Sequence, residues 1–105
     1  MGPELFNWGR FSEPALLILI SLAGGPKHGY AMMEDIAAFA DLRLGAGTLY
    51  GALTRLDERG LVEALPAAAR RRPYRLTATG AALLQAQLTT LDTCVAIGRE
   101  RLAAS

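Results

Sequence analysis

The stretch GAGTLYGALTRLDERGLVEALPAAARRRPYR, residues 45–75, decides the fold of this 105-residue chain. Its first half has a helical period. Leu49, Leu53 and Leu56 stand at i, i+4 and i+7 on one face, while Thr48, Gly51, Thr54, Arg55 and Glu58 occupy the other. Gly60 falls where a left-handed residue ends a helix, so the helix should stop at Arg59. Its start is less sharply defined, because no Ser, Thr, Asp or Asn directly precedes Thr48. Either Gly45 or Gly47 is a weak N-cap, or Thr48 caps a helix that begins one turn later. Beyond Gly60 the period becomes two: Leu61, Glu63 and Leu65 on one side of an extended segment, Val62 and Ala64 on the other, with Pro66 ending it. A second extended segment, Pro73 to Thr77, sets Tyr74 and Leu76 against Arg75. Between the two lies a loop, Ala67 to Arg72, that finishes in Arg70, Arg71 and Arg72. The pair reads as a hairpin with a basic tip, although no Asn-Gly or Asp-Gly turn sets its register.

Upstream, Ser12 as N-cap with Glu13 and Pro14 in the first turn starts a helix that runs to Leu22 or Ala23. It is apolar nearly all round (Leu16, Leu17, Ile18, Leu19, Ile20, Leu22), which predicts a central helix covered on several sides. Gly24, Gly25 and Pro26 break it. A second helix is expected from about Tyr30 to Phe39, with Met33, Ile36 and Ala37 inward and Glu34, Asp35 and Asp41 outward. Asp41 to Gly47 is then a short turn before the third helix. Two helices joined by a short turn, followed by a basic hairpin, make a winged helix-turn-helix. The predicted fold class is therefore mainly α with a small β-hairpin wing. Residues 1–77 form a DNA-binding domain with an N-terminal arm, and residues 78–105 form a C-terminal dimerisation helix.

Charge supports that reading once it is divided along the chain. Residues 1–42 hold two basic and five acidic residues, residues 43–75 hold seven arginines and three acids, and residues 76–105 hold two of each. The net charge of +1 thus hides a single positive region, centred on the third helix and the hairpin. One cysteine, Cys94, and one histidine, His28, exclude a zinc finger, a disulfide framework and a metal site of several soft ligands. Cys94 reads as a small buried thiol on a helix, and His28 as a backbone-capping residue at the entry to the second helix. No cofactor is implied, and no nucleophile stands with a base at a spacing that would suggest an enzyme. The apolar run from Ala15 to Ala23 is too short to span a bilayer and lacks a signal-peptide pattern, so no membrane partner and a cytoplasmic location are expected.

The last segment, Thr77 to Ala103, predicts one long helix started by Thr77 or Thr79. Leu84, Leu88, Leu91, Val95, Gly98 and Leu102 follow steps of four and three, a heptad seam nearly three repeats long. Such a seam on a terminal helix points to a second copy of the chain, although it could also pack back on the first helix. Candidate DNA contacts are Thr48, Tyr50, Thr54 and Arg55 on the third helix, Arg70, Arg71 and Arg72 on the hairpin, and Lys27 before the second helix. For Tyr50 a packing role is an equal alternative. The predicted partners are double-stranded DNA, a second copy of the chain and a small-molecule effector. A protein-interaction adaptor without an operator of its own is the alternative function.

Several of these residues also match a known pattern. Gly25-Pro26 followed by His28-Gly29-Tyr30, then Gly47-Thr48-Leu49-Tyr50, Leu53, Arg55-Leu56, Arg59-Gly60-Leu61-Val62 and Tyr74-Arg75-Leu76-Thr77 with Gly80, resemble the signature of PadR-family transcriptional regulators over about residues 14–84. The resemblance implies a homodimeric repressor with a winged helix-turn-helix, dimerising through its C-terminal helix with help from the N-terminal helix. Its short length resembles the compact branch of the family. Two features depart from the pattern. Gly45 and Ala46 stand where a polar N-cap is common, and residues 78–105 contain no Trp, Tyr or Phe with which to sandwich a planar ligand. Trp8, with Phe6 and Phe11, is the remaining aromatic candidate for an effector or dimer contact.

Overall fold

A computed structural model describes residues 13–105. Ser12, Trp8 and the other residues assigned to the N-terminal arm lie outside it. The chain runs α1 (Glu13–Ala23), β1 (Lys27–His28), α2 (Gly29–Ala40), α3 (Ala46–Glu58), β2 (Val62–Ala64), β3 (Pro73–Leu76) and α4 (Ala78–Ala104). It is mainly helical with a small antiparallel sheet, the winged helix-turn-helix expected from the sequence.

The core forms around α1, whose apolar sequence lets it pack against α2, α3, α4 and β3 at once. Ile18 and Leu19 are completely buried, and Leu16 and Leu22 nearly so. The α3 stripe expected from the sequence is buried against them, with Ala52 joining Leu49, Leu53 and Leu56. In α2 the register differs by one position: Met32 and Ile36 are the fully buried residues, and Met33 and Ala37 are only half-buried. The helix begins at Gly29 because the His28 Nδ1 accepts from the Ala31 amide at 3.3 Å, an N-cap bond that satisfies one of the free donors of the first turn. Asp35 does not face outward as expected. It accepts a 2.7 Å hydrogen bond from the hydroxyl of buried Ser21, joining α2 to α1.

The sheet has three strands rather than two, in the order β1-β3-β2. Lys27 pairs with Tyr74 and His28 with Pro73, so the link between α1 and α2 forms an edge of the wing. A two-residue strand has no alternation to read, and this one escaped the sequence pattern. The hairpin itself sets Val62 against Leu76, Glu63 against Arg75 and Ala64 against Tyr74. Its tip closes through reciprocal backbone bonds between Ala68 and Arg71 of 2.8 and 3.0 Å. Ala69 takes φ 57 in that tip, a left-handed conformation that costs an alanine free energy.

Gly60 adopts φ 73 and closes the end of α3 as its position predicted. Thr77 then caps α4, accepting from the Gly80 amide at 3.0 Å while its hydroxyl donates to the Gly60 carbonyl at 2.7 Å. At Gly80 the helix passes so close to the Leu61 carbonyl that a Cβ would overlap it. This junction presses the first turns of α4 onto the core, where Leu84 is 4% exposed and Leu88 and Leu91 are half-buried. The heptad seam therefore divides. Its first part packs on the chain's own core, whereas Val95 and Leu102 are 50% and 78% exposed. Cys94, expected to be buried, is exposed, because α4 has run past the core by that turn.

Candidate nucleic-acid interface

The outer face of α3 follows from the burial of its inner one. With Leu49, Leu53 and Leu56 held in the core, the helix period turns Gly47, Thr48, Tyr50, Thr54, Arg55 and Glu58 to solvent. Gly45 is the N-cap of α3; it is extended and offers no side-chain cap. The first backbone bond to reach back is from the Leu49 amide to the Gly45 carbonyl, at 3.0 Å. The amides of Ala46, Gly47 and Thr48 thus lie at a helix N-terminus without a capping side chain, where the helix dipole favours negative charge.

Each candidate side chain has its own surroundings. Thr48 is exposed in the first turn. The Thr54 hydroxyl donates to the Tyr50 carbonyl at 2.9 Å, so its oxygen is left to accept. A group in that state suits an amino donor on a base edge better than a phosphate, which can only accept. The Arg55 guanidinium is exposed, with no hydrogen bond or ion pair among the described residues. It lies back along the helix beside Gly51. Tyr50 is 45% exposed, and its phenol end rests over Gly29 at the start of α2.

On the wing the arginines are not equivalent. Arg71 Nη1 is 3.0 Å from His28 Nε2, Arg72 Nη1 donates to the Leu65 carbonyl at 3.1 Å, and Arg75 pairs with Glu63 at 2.7 Å across the strands. Arg70, at the turn, has no such partner among the described residues. The Arg71 contact carries a chemical conflict. A guanidinium only donates, and a neutral imidazole has one ring lone pair for the two donors, Ala31 N–H and Arg71. His28 therefore serves one of them fully only at the expense of the other.

The Lys27 ammonium is directed into the protein. It donates to the Ser21 and Gly25 carbonyls at 2.5 and 3.3 Å and lies 3.9 Å from Asp35. The Gly24–Pro26 turn, with Gly25 at φ 125, folds β1 back on the end of α1, and the lysine ties the last turn of that helix to the turn after it. Those bonds engage the Lys27 ammonium within the protein, which does not favour the phosphate contact expected from the sequence. His28 and Gly29, in turn, are neighbours of Arg71 and Tyr50. These contacts bridge 43 positions in one case and depend on a missing Cβ in the other, so no local pattern announces them.

Comparison with known proteins agrees with this geometry. The family model of the PadR-like transcriptional regulators matches residues 17–86, from α1 through the start of α4. The chain belongs to the PadR-like family. Membership implies DNA-binding regulation of transcription. A PadR family regulator from Clostridium difficile has the same fold at a TM-score of 0.77 and 21% identity, covering 85% of this chain and 97% of that one. RosR of H. salinarum superposes at a TM-score of 0.69 with 28% identity over 90% of this chain and 88% of that one. An uncharacterised 37.1 kDa protein in transposon TN4556 of Streptomyces fradiae is 45% identical over 76 residues. Those residues are 72% of the present chain but only 22% of that relative's length. Among the described residues, no helix is long and apolar enough to cross a membrane, and no group of three or more His, Cys, Asp or Glu could hold a metal ion.

Proposed function

We propose that this PadR-like protein is a homodimeric repressor that covers a palindromic operator, with α3 in the major groove and the wing along the flanking phosphates. The observation that carries the reading is the union of the two reading elements at one corner. Tyr50 of α3 rests on Gly29, and Arg71 of the wing reaches His28 beside it. The polar face of α3 and the basic tip are thus held together. Thr48 and Tyr50 contact backbone phosphates near the helix start, Thr54 and Arg55 reach base edges, and Arg70, Arg71 and Arg72 add electrostatic affinity.

Residues 78–105 supply the dimer. Val95 and Leu102 are the freest parts of the seam, Leu88 and Leu91 contribute their exposed edges, and Leu84 belongs to the core. Residues 1–77 form the reader, completed by the first turns of α4. Selecting bound fragments from the source genome and footprinting them tests the whole reading. Two protected half-sites related by a two-fold axis, about one helical turn or a multiple apart, are expected. Protection of a single asymmetric site argues against the dimer, and failure to retain any duplex overturns the operator.

A further inference from the structure

Gly29 is the first residue of α2, it is buried, and its φ is not positive. Any residue could adopt that backbone, and alanine would be the better helix former there. The requirement is for space. A Cβ on residue 29 would overlap the Tyr50 hydroxyl and stand 2.6 Å from its Cζ. The atoms in the way belong to the free end of a side chain that is 45% exposed. Tyr50, and not the backbone, would give way.

We propose that Gly29 is a positioning residue for DNA recognition, fixing the Tyr50 ring against the start of α2 and so setting where its hydroxyl meets the operator. The neighbouring His28 ring lies 3.0 Å from the Arg71 guanidinium of the wing, so one dipeptide borders a group from each reading element. The inference rests on the assignment of Tyr50 to the DNA interface. A glycine here thus acts at a distance, through the tyrosine, and touches no DNA.

The test is a double-mutant cycle of Gly29→Ala and Tyr50→Ala in the full chain, reading both thermal midpoint and affinity for the selected operator duplex. Gly29→Ala should keep the midpoint and weaken binding by about tenfold per half-site, the loss expected for one polar contact to a charged group. In the Tyr50→Ala background the same substitution should change binding by less than about twofold. An equal loss in both backgrounds, or no loss in either, overturns the positioning role. Normal affinity in Tyr50→Ala alone removes instead the assignment of Tyr50 to DNA. If Gly29→Ala does not fold, recovery of the fold in the double variant supports the steric argument, and a double variant that stays unfolded refutes it.

Discussion

Replacing Arg70 by alanine asks which wing arginine delivers its charge to DNA. Arg71 lies 3.0 Å from the His28 ring, and Arg72 and Arg75 each have an acceptor within the protein, the Leu65 carbonyl at 3.1 Å and the Glu63 carboxylate at 2.7 Å. Arg70 has none among the described residues, and it stands at the turn of the hairpin. A phosphate contact displaces condensed counterions and adds about −0.9 to the slope of log affinity against log salt. Between about 50 and 200 mM salt, losing one contact should shrink the salt-induced drop in affinity by about 3.5-fold, and losing two symmetric contacts by about 12-fold. Fluorescence anisotropy titrations of an operator duplex at several salt concentrations give the slope directly. Arg75→Ala is the control, because Glu63 already offsets its charge, and its slope should stay close to that of the parent. An unchanged slope in Arg70→Ala, or equal changes in the two variants, would refute the argument that a free guanidinium at the turn is the working one.

Three further expectations concern the fold that carries the site. Gly80→Ala should lower the free energy of unfolding by about 1–3 kcal/mol in a urea titration, since the Cβ meets the Leu61 backbone and cannot be moved aside cheaply; an unchanged midpoint would show that α4 can slide. Ala69→Gly should stabilise the wing by up to about 1 kcal/mol by removing left-handed strain, offset in part by the greater freedom of glycine in the unfolded chain. A fall in stability would contradict that turn geometry. Val95→Asp should convert the proposed dimer to a well-folded monomer in sedimentation experiments, whereas Leu84→Asp should lose the helical circular dichroism, because it places a charge in the core. The dimer assignment fails if Val95→Asp sediments like the parent.

Much of the fold was legible because its elements carry periodic or punctuating residues. Leu49, Leu53 and Leu56 gave α3, Gly60 its end, Thr77 the start of α4, and the all-apolar run of α1 its central place. The less legible parts were those where chemistry depends on neighbours distant in sequence. Lys27 has the composition of a phosphate contact, yet three acceptors around it turn it inward. The seam of α4 reads as uniform from Leu84 to Leu102, but the close approach at Gly80 gives its first turns to the core and leaves the rest open.

The sequence by itself determined the elements, their order, the polar face of α3 and the concentration of arginines on the wing, because periodicity and charge are local properties of a chain. Only the tertiary structure decided which of those arginines are free, which half of α4 is available to a partner, and how the wing is tied to the reading helix. Those outcomes turn on distances between residues far apart in the chain: Arg71 at His28, Tyr50 over Gly29, Gly80 against Leu61. Burial and hydrogen bonding are settled by such contacts, and local periodicity does not encode them.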